Sequence, residues 1–248
     1  MAGHSKWANI QHRKKRQDAK RGKLFTRLIR EITVAAREGG GDQDSNPRLR
    51  LALDKAFSSN MNKDTIEKAI NRGIGKIEGA IYEEITYEGY SSNGVAVLVE
   101  TVTDNRNRTV AEIRHVFTKF GGNLGSSGSV SYLFKKIGVI TFEGIENKDE
   151  LIDLAIETDI DDYEDDEKDM IFFTSSENFL KSIDVFKKNN YIPSGMEVEM
   201  QADTKVKLTD DDNDSFVKFL DALEELDDVQ NVYSNCLLYT SPSPRDRV

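Results

Sequence analysis

The sequence has a single cysteine and no long apolar run. Cys236 is the only cysteine in 248 residues, so the chain cannot build a disulfide framework or a cysteine-based metal site. No apolar stretch approaches the roughly 18 residues that a membrane-spanning helix needs. The charged N-terminus also lacks the apolar segment that follows it in a secretory signal. We therefore expect a cytoplasmic protein with no membrane partner.

The sequence also lacks the motifs of common catalytic classes. Gly75-Lys76 and the glycine-rich segment Gly121–Gly128 both lack the flanking residues of a nucleotide-binding phosphate loop. The acidic stretch Asp159–Asp169 lacks the spacing of a calcium loop and is expected to be a solvated strand edge or turn. No nucleophile motif accompanies His115. We predict no catalytic residues, no cofactor, no metal site and no small-molecule substrate, so we do not expect an enzyme.

What the sequence does contain is an uneven distribution of charge. Residues 1–37 hold 11 Lys and Arg residues against two acids, Asp18 and Glu31, which gives a net charge of +9. The whole chain carries −10, so residues 38–248 carry −19. A basic segment on an acidic body attracts a polyanion only at one end. We therefore expect nucleic acid to bind at the basic N-terminal arm, residues 1–37.

Candidate binding residues are concentrated in the first half of this arm. Lysine and arginine neutralise phosphates, and the indole of Trp7 can stack on a base. His4 and His12 are expected to add polar contacts, because two histidines with no cysteine nearby make a poor metal site. The alternative is that the charged run is only a solvated face. The predicted contacts are His4, Lys6, Trp7, His12, Arg13, Lys14, Lys15, Arg16, Lys20, Arg21 and Lys23.

A second basic group lies in and after a predicted strand-to-helix loop, Asp104–Thr109. Its arginines either extend the nucleic-acid surface or are solvated, with Asn107 or Thr109 capping the next helix. The segment Gly121–Gly128 either cradles phosphate or is a flexible interdomain connection. The second interpretation is favoured because no strand leads into the segment as a dinucleotide fingerprint requires. The arginines are Arg106, Arg108 and Arg114.

The first 80 residues have apolar residues at helical spacing. The spacing predicts helices from Arg13 to Arg37, from Asn46-Pro47 onward and from Asp64 onward. Gly39–Gly41 should end the first helix, and Gly73 should cap the C-terminus of the third. The buried stripe of the second helix is predicted to be Leu49, Leu53, Ala56 and Phe57.

From residue 81 the pattern changes to strands that alternate with single helices. Residues 129–200 read as strand–helix–strand–helix–strand, which fits a ferredoxin-like sandwich. The flanking segments supply a hairpin, two helices and a strand, which together make a second sandwich. The predicted fold class is α+β, with an N-terminal helical domain followed by two α/β sandwich domains, one of them ferredoxin-like and inserted in the other. The predicted domains are residues 1–80, 81–128 plus 204–235, and 129–203.

The last 13 residues break the acidic composition that precedes them. Residues 236–248 hold the cysteine and two of the four prolines, and they show no periodicity. We interpret this segment as a non-native tail from a read-through or cloning junction. The alternative is an ordinary disordered tail.

Several motifs resemble those of the YebC family of bacteria, whose mitochondrial relative is a translational activator of cytochrome oxidase. The resemblance covers residues 2–235, and the motif at the start of the chain is highly specific. It implies a helical N-terminal domain and two α/β domains around a cleft. The matching segments are M-A-G-H-S-K-W-A-N-I-Q-H-R-K, K-L-F-T-R-L-I-R-E-I, N-P-R-L-R, T-Y-E-G-Y, T-D-N-R-N-R-T and G-G-N-L-G-S-S-G-S-V.

The resemblance implies one of two regulatory functions. The family's usual label is a DNA-binding transcriptional regulator, and a newer view makes it a ribosome-associated factor that helps translate proline-rich stretches. Both place nucleic acid, either DNA or ribosomal RNA, as the partner. An enzyme acting on nucleic acid is disfavoured because the sequence has no metal-binding carboxylate pair or nucleophile motif. Because lysine is frequent in the arm and Gln11 and Gln17 are the only amides between Ile10 and Arg37, its chemistry slightly favours ribosomal RNA.

Overall fold

The computed structural model describes residues 21–166 and 169–237 of the chain. These residues form two compact units. One unit consists of Leu133–Thr204. The other contains the described residues on either side of that segment, 21–132 and 205–237.

The larger unit begins with three helices. Asn46 caps the second of them as predicted, because its side chain accepts a hydrogen bond from the Leu49 backbone N–H and Pro47 is the first helical residue. Asn62 caps the third helix in the same way. A shared apolar core includes Leu28, Ile32, Leu49, Leu53, Ile66 and Ala69. The helices are α1 (Arg21–Gly39), α2 (Pro47–Ser58) and α3 (Lys63–Gly73).

Two predictions for this bundle are wrong. Phe57 was expected in the buried stripe, but it lies at the end of α2 and is 47% exposed. Gly73 is not the C-terminal cap of α3, because Gly75 adopts the left-handed backbone conformation with φ +77°. Gly73 is needed for a different reason: a Cβ atom there would lie 2.4 Å from the carbonyl oxygen of Thr33. The glycine thus permits the close approach of α3 to α1.

The same unit contains a four-stranded antiparallel sheet with two helices on one face. Its strand order is β3-β1-β2-β9, and the register pairs Tyr87 with Val99 and Leu98 with Tyr233. The helices pack on the sheet through an apolar cluster in which the rings of Phe117 and Phe219 meet edge to face at 5.0 Å. The elements are β1 (Glu83–Tyr90), β2 (Ala96–Thr103), α4 (Arg106–Lys119), β3 (Asn123–Leu124), α7 (Asp210–Glu224) and β9 (Val229–Ser234).

Cys236 is part of this sandwich, so the prediction that the tail begins there is wrong. The short strand β10 (Cys236–Leu237) pairs in parallel with β8 (Val206–Lys207). The Cys236 side chain is 3% exposed and belongs to the apolar cluster between sheet and helices. A favourable core position therefore outweighs the unusual composition. Residues 238–248 lie outside the described residues.

The smaller unit is a ferredoxin-like sandwich. Its elements follow one another as β–α–β–β–α–β, and its antiparallel sheet has the order β5-β6-β4-β7. Within the acidic stretch, Asp162–Asp166 form the edge strand β5, which agrees with the expectation of a solvated strand edge. Phe142, Phe172 and Phe186 form an aromatic core with ring centroids 4.9 to 5.9 Å apart. The elements are β4 (Phe134–Phe142), α5 (Lys148–Ile156), β5 (Asp162–Asp166), β6 (Asp169–Ser175), α6 (Phe179–Lys188) and β7 (Gly195–Ala202).

These observations confirm the predicted α+β class, with an N-terminal helical region and two α/β sandwiches.

Candidate nucleic-acid interface

Most of the predicted contacts of the basic arm lie outside the described residues. Arg21 is described only as the first residue of α1. Lys23 is the one predicted arm contact whose side chain is described. The contacts outside are His4, Lys6, Trp7, His12, Arg13, Lys14, Lys15, Arg16 and Lys20.

Lys23 is engaged within the fold. Its ammonium group donates a hydrogen bond to the Glu225 carbonyl and lies 3.3 Å from the Asp227 carboxylate. One helical turn further on, Arg27 donates to the Glu224 carbonyl at 2.7 Å. These carbonyls belong to the C-terminal end of α7, where cationic donors satisfy groups that have no intrahelical partner. From Lys23 onward, these basic side chains of α1 therefore serve the protein's own structure.

The next basic residue of α1 reaches a buried carboxylate. Arg30 Nη1 lies 2.9 Å from Asp228 Oδ1, and the Asp228 side chain is only 1% exposed. The other carboxylate oxygen accepts hydrogen bonds from the hydroxyls of Thr109, at 2.6 Å, and Thr103, at 3.0 Å. Burial alone would raise the pKa of Asp228. The hydrogen bonds from Thr109, Arg108 and Thr103 and the charge of Arg30 lower it by more than burial raises it, so the pKa lies below the ordinary value.

This buried carboxylate also decides the role of the second basic group. Arg108 donates to Asp228 at 2.7 Å and to Asp104 at 2.9 Å. Asn105 caps α4 by accepting from the Arg108 backbone N–H, so the prediction that Asn107 or Thr109 is the cap is wrong. Sequence reasoning missed Asn105 because three cap-forming residues occur within five positions.

Arg106 and Arg114 differ from Arg108. Both are exposed on α4. Among the described residues, neither has a carboxylate partner at ion-pair distance. The second basic patch is thus divided: one arginine stabilises the fold, and two present their charges to solvent.

The glycine-rich segment is held in place by a second buried carboxylate, that of Glu88. Its oxygens accept hydrogen bonds from the backbone N–H groups of Gly128, Val130 and Ser131, each at 2.7 Å. The backbone carbonyl of Glu88 also accepts from the Gly125 N–H at 2.7 Å. This part of the segment is therefore hydrogen-bonded to β1, and the expected flexibility stays a prediction.

Glu88 is 4% exposed, and its charge is stabilised by backbone N–H groups of the loop around Gly128. Burial alone would raise the pKa of the Glu88 carboxyl. The backbone donors of Gly128, Val130 and Ser131 lower it by more than burial raises it, so the pKa is below the ordinary value. Sequence reasoning missed both Glu88 and Asp228. Their hydrogen-bond partners are distant in the chain, and nothing in the local pattern distinguishes them from solvated acids.

Two other classes of site were sought in the described residues. No three His, Cys, Asp or Glu side chains in those parts of the chain are grouped so that they could hold a metal ion. Helices with the length and hydropathy of a membrane span do not occur in residues 21–166 and 169–237.

Comparison with family models assigns almost the whole chain. Residues 5–76 match the model of the TACO1/YebC N-terminal domain, and residues 82–236 match that of the second and third domains. The chain belongs to the TACO1/YebC family. The match through residue 236 agrees with the burial of Cys236 in the core.

The relatives and a solved structure of this family support the assignment. A probable transcriptional regulatory protein of Idiomarina loihiensis is 55% identical, with 95% of each chain covered. One of Nitrosococcus oceani is 57% identical, also with 95% of each covered. The crystal structure of a conserved hypothetical protein from Aquifex aeolicus is 45% identical, with a TM-score of 0.79 over 88% of this chain and 91% of that one. The relatives' names describe regulatory proteins and no enzymatic activity.

Proposed function

We propose that this protein is a non-enzymatic, cytoplasmic regulator of gene expression that binds nucleic acid through its basic arm. The observation that carries the proposal is the charge division between residues 1–37, at +9, and residues 38–248, at −19. Such a division confines attraction for phosphates to one end of the molecule. The names of the relatives favour DNA and the regulation of transcription as the first candidate.

The structure sharpens which residues belong to this proposal. Lys23 and Arg108 have carboxylate partners in the fold, so they are weaker candidates for phosphate contacts. Arg106 and Arg114 are exposed and remain in the proposed set. The remaining contacts are the arm residues from His4 to Arg21.

A second candidate function is a ribosome-associated factor that binds ribosomal RNA and relieves stalling on proline-rich stretches. Two sequence observations favour it. Gln11 and Gln17 are the only amides between Ile10 and Arg37, so the arm offers few amide side chains to read base edges in a major groove. The body, at −19, would also repel a long duplex lying across it, whereas a compact pocket of folded RNA avoids most of that repulsion.

The site of binding is tested by the salt dependence of affinity. If the arm neutralises about five phosphates, log affinity should fall against log salt with a slope of about −4.5 on duplex DNA or −3.5 on a single strand. Replacing Lys14, Lys15, Arg16, Lys20 and Arg21 together with Gln should flatten that slope. An unchanged affinity and slope in this variant would place the site elsewhere.

The identity of the partner is tested by competition at near-physiological salt. Purified ribosomes compete with short duplex DNA, with and without a candidate operator. A preference of about a thousandfold for one operator over random DNA, as specific regulators show, would support the transcriptional candidate. If the protein stays bound to ribosomes and the Trp7→Ala variant does not, the result would support the translational candidate.

A further inference from the structure

One segment of the acidic body contains no acidic residue although the protein as a whole is acidic. The chain has 44 Asp and Glu residues, yet residues 113–132 contain none. The only Lys or Arg residues in this stretch are Arg114 and Lys119, and both are exposed. The Lys119 ammonium lies 5.7 Å from the centroid of the Phe120 ring. A phosphate that approaches these two cations therefore meets no acidic residue of the same stretch, and the nearby carboxylate of Glu88 is buried and bound to backbone N–H groups.

The middle of this stretch and its C-terminal end both approach the turn between β1 and β2. A Cβ atom at Gly121, just after Lys119, would lie 3.5 Å from Ser92 Cβ, and one at Gly122 would lie 2.7 Å from the Tyr90 carbonyl oxygen. The C-terminal end of the stretch reaches the same place, because the Tyr90 hydroxyl donates to the Ser129 carbonyl at 3.1 Å, three residues before Tyr132.

Tyr132 presents an aromatic face at this end of the sheet. Its side chain is 71% exposed, although it follows directly on Ser131, whose backbone N–H is held by the buried carboxylate of Glu88. The ring is thus exposed but preorganised, which reduces the conformational entropy that binding would cost.

We infer that Tyr132, Lys119 and Arg114 form a second nucleic-acid contact that takes an unpaired nucleotide. The base stacks on the Tyr132 ring, and the two cations neutralise the adjacent phosphates. A base inside a duplex has no free face for this contact. The glycine- and serine-rich loop in this stretch offers no row of long polar side chains that could read base edges, and the carboxylate of Glu88 beside it is bound to backbone N–H groups. The inference rests on the proposed function and specifies single-stranded segments as the substrate class.

The experiment uses the full-length protein and a fluorescently labelled oligoadenylate of about 12 nucleotides, with a duplex DNA of the same length as the second probe. Fluorescence anisotropy gives the affinity for each. Tyr132→Ala should weaken single-strand binding by about 5- to 150-fold and leave duplex binding unchanged. Tyr132→Phe should bind as the wild type does, because it keeps the stacking face. The double variant Arg114→Gln/Lys119→Gln should reduce the salt slope on the single strand by about 1.4.

The matched control is Tyr163→Ala, which removes a tyrosine that is also exposed but lies on the acidic edge strand β5. It should leave both affinities unchanged. If the wild type binds the single strand and Tyr132→Ala binds it equally well, or if that variant weakens both probes equally, the inference is overturned while the proposed function stands. If the wild type binds neither probe nor ribosomes, the proposed function fails and the inference fails with it.

Discussion

The two sandwiches share an architecture but are stabilised differently. Each has a four-stranded antiparallel sheet. The ferredoxin-like one is continuous in the chain, and its core is built around packed rings such as Phe142, Phe172 and Phe186. The other is assembled from two distant segments and contains three of the four carboxylates that are buried among the described residues, those of Glu88, Glu224 and Asp228, whereas the ferredoxin-like one contains only that of Glu199.

The difference indicates where the chain needs fixed geometry. Apolar packing is non-directional, and many core arrangements satisfy it. A buried carboxylate is stable only when donors surround it, so it specifies which segments must meet. Asp228 fixes Arg108 and the start of α4, and Glu88 fixes the loop that precedes Tyr132. Both lie next to the surfaces proposed to bind nucleic acid.

The largest difference is expected when fragments of the two sandwiches are tested for independent folding. Residues 129–203 should fold alone and unfold cooperatively in urea, because they contain a complete sheet with both of its helices. Residues 80–128 alone should not fold, since they lack α7 and β9 and would leave an apolar sheet face uncovered. The domain boundaries remain a prediction until this is measured by circular dichroism. Cooperative unfolding of the 80–128 fragment would contradict the discontinuous arrangement.

Sequence reasoning succeeded where the signal is local. Asn46-Pro47 marks a helix start within two residues, and the apolar periodicity of residues 129–200 was enough to predict a ferredoxin-like fold. It failed where the partner is distant. Glu88 is stabilised by a loop about 40 positions later. The donors of that loop are backbone N–H groups, which the pattern of side chains in the sequence does not reveal. The predicted burial of Phe57 was wrong for a related reason. Periodicity identifies the apolar face of a helix but not how far the neighbouring helices cover that face.

The next largest effect is expected from the buried carboxylate of Asp228. Asp228→Asn preserves the volume but removes the charge that Arg108 and Arg30 face. Removing one partner of a buried pair costs about 3–5 kcal/mol, and we expect the lower end, about 3 kcal/mol, because Arg108 is partly exposed to solvent. Urea denaturation measures the change. The matched control is Asp227→Asn, whose 80% exposed side chain should contribute less than about 1 kcal/mol. Equal effects at the two positions would show that burial does not determine the contribution.

A smaller effect is expected from Glu88→Gln. The amide keeps one acceptor for three backbone donors, so we expect a loss of about 2 kcal/mol. The control on the same strand is Glu83→Gln, an exposed position that should change the free energy of unfolding by less than about 0.5 kcal/mol. If the loop presents Tyr132 as proposed, Glu88→Gln should also weaken single-strand binding. This is measured in buffer without urea, where the variant is still folded.

The pH dependence of stability gives an independent measure of both carboxylates. Their folded-state pKa values are lowered, so the unfolded chain takes up protons first as the pH falls. Their stabilisation is therefore complete above the ordinary carboxyl pKa of about 4 and is lost as the pH falls through the lower folded-state values. Glu88→Gln and Asp228→Asn should each make the free energy of unfolding less dependent on pH below about pH 4. Parallel profiles for variants and wild type would contradict the pKa directions.

The smallest effect concerns the boundary between the folded chain and its last residues. Burial raises the pKa of the Cys236 thiol to about 12, so the native protein should not react with a thiol reagent at about pH 8, whereas the urea-unfolded protein should react fully.

Deleting residues 238–248 should leave the melting temperature and nucleic-acid binding unaltered, because their sequence offers no apolar periodicity to bury. Deleting residues 236–248 should lower the melting temperature by several degrees, because it also removes Cys236 from the apolar cluster and β10 from its pairing with β8. Equal melting temperatures for the two truncations would mean that the contacts of Cys236 and Leu237 contribute nothing to stability, and rapid labelling of the native thiol would show that the core is open at this edge.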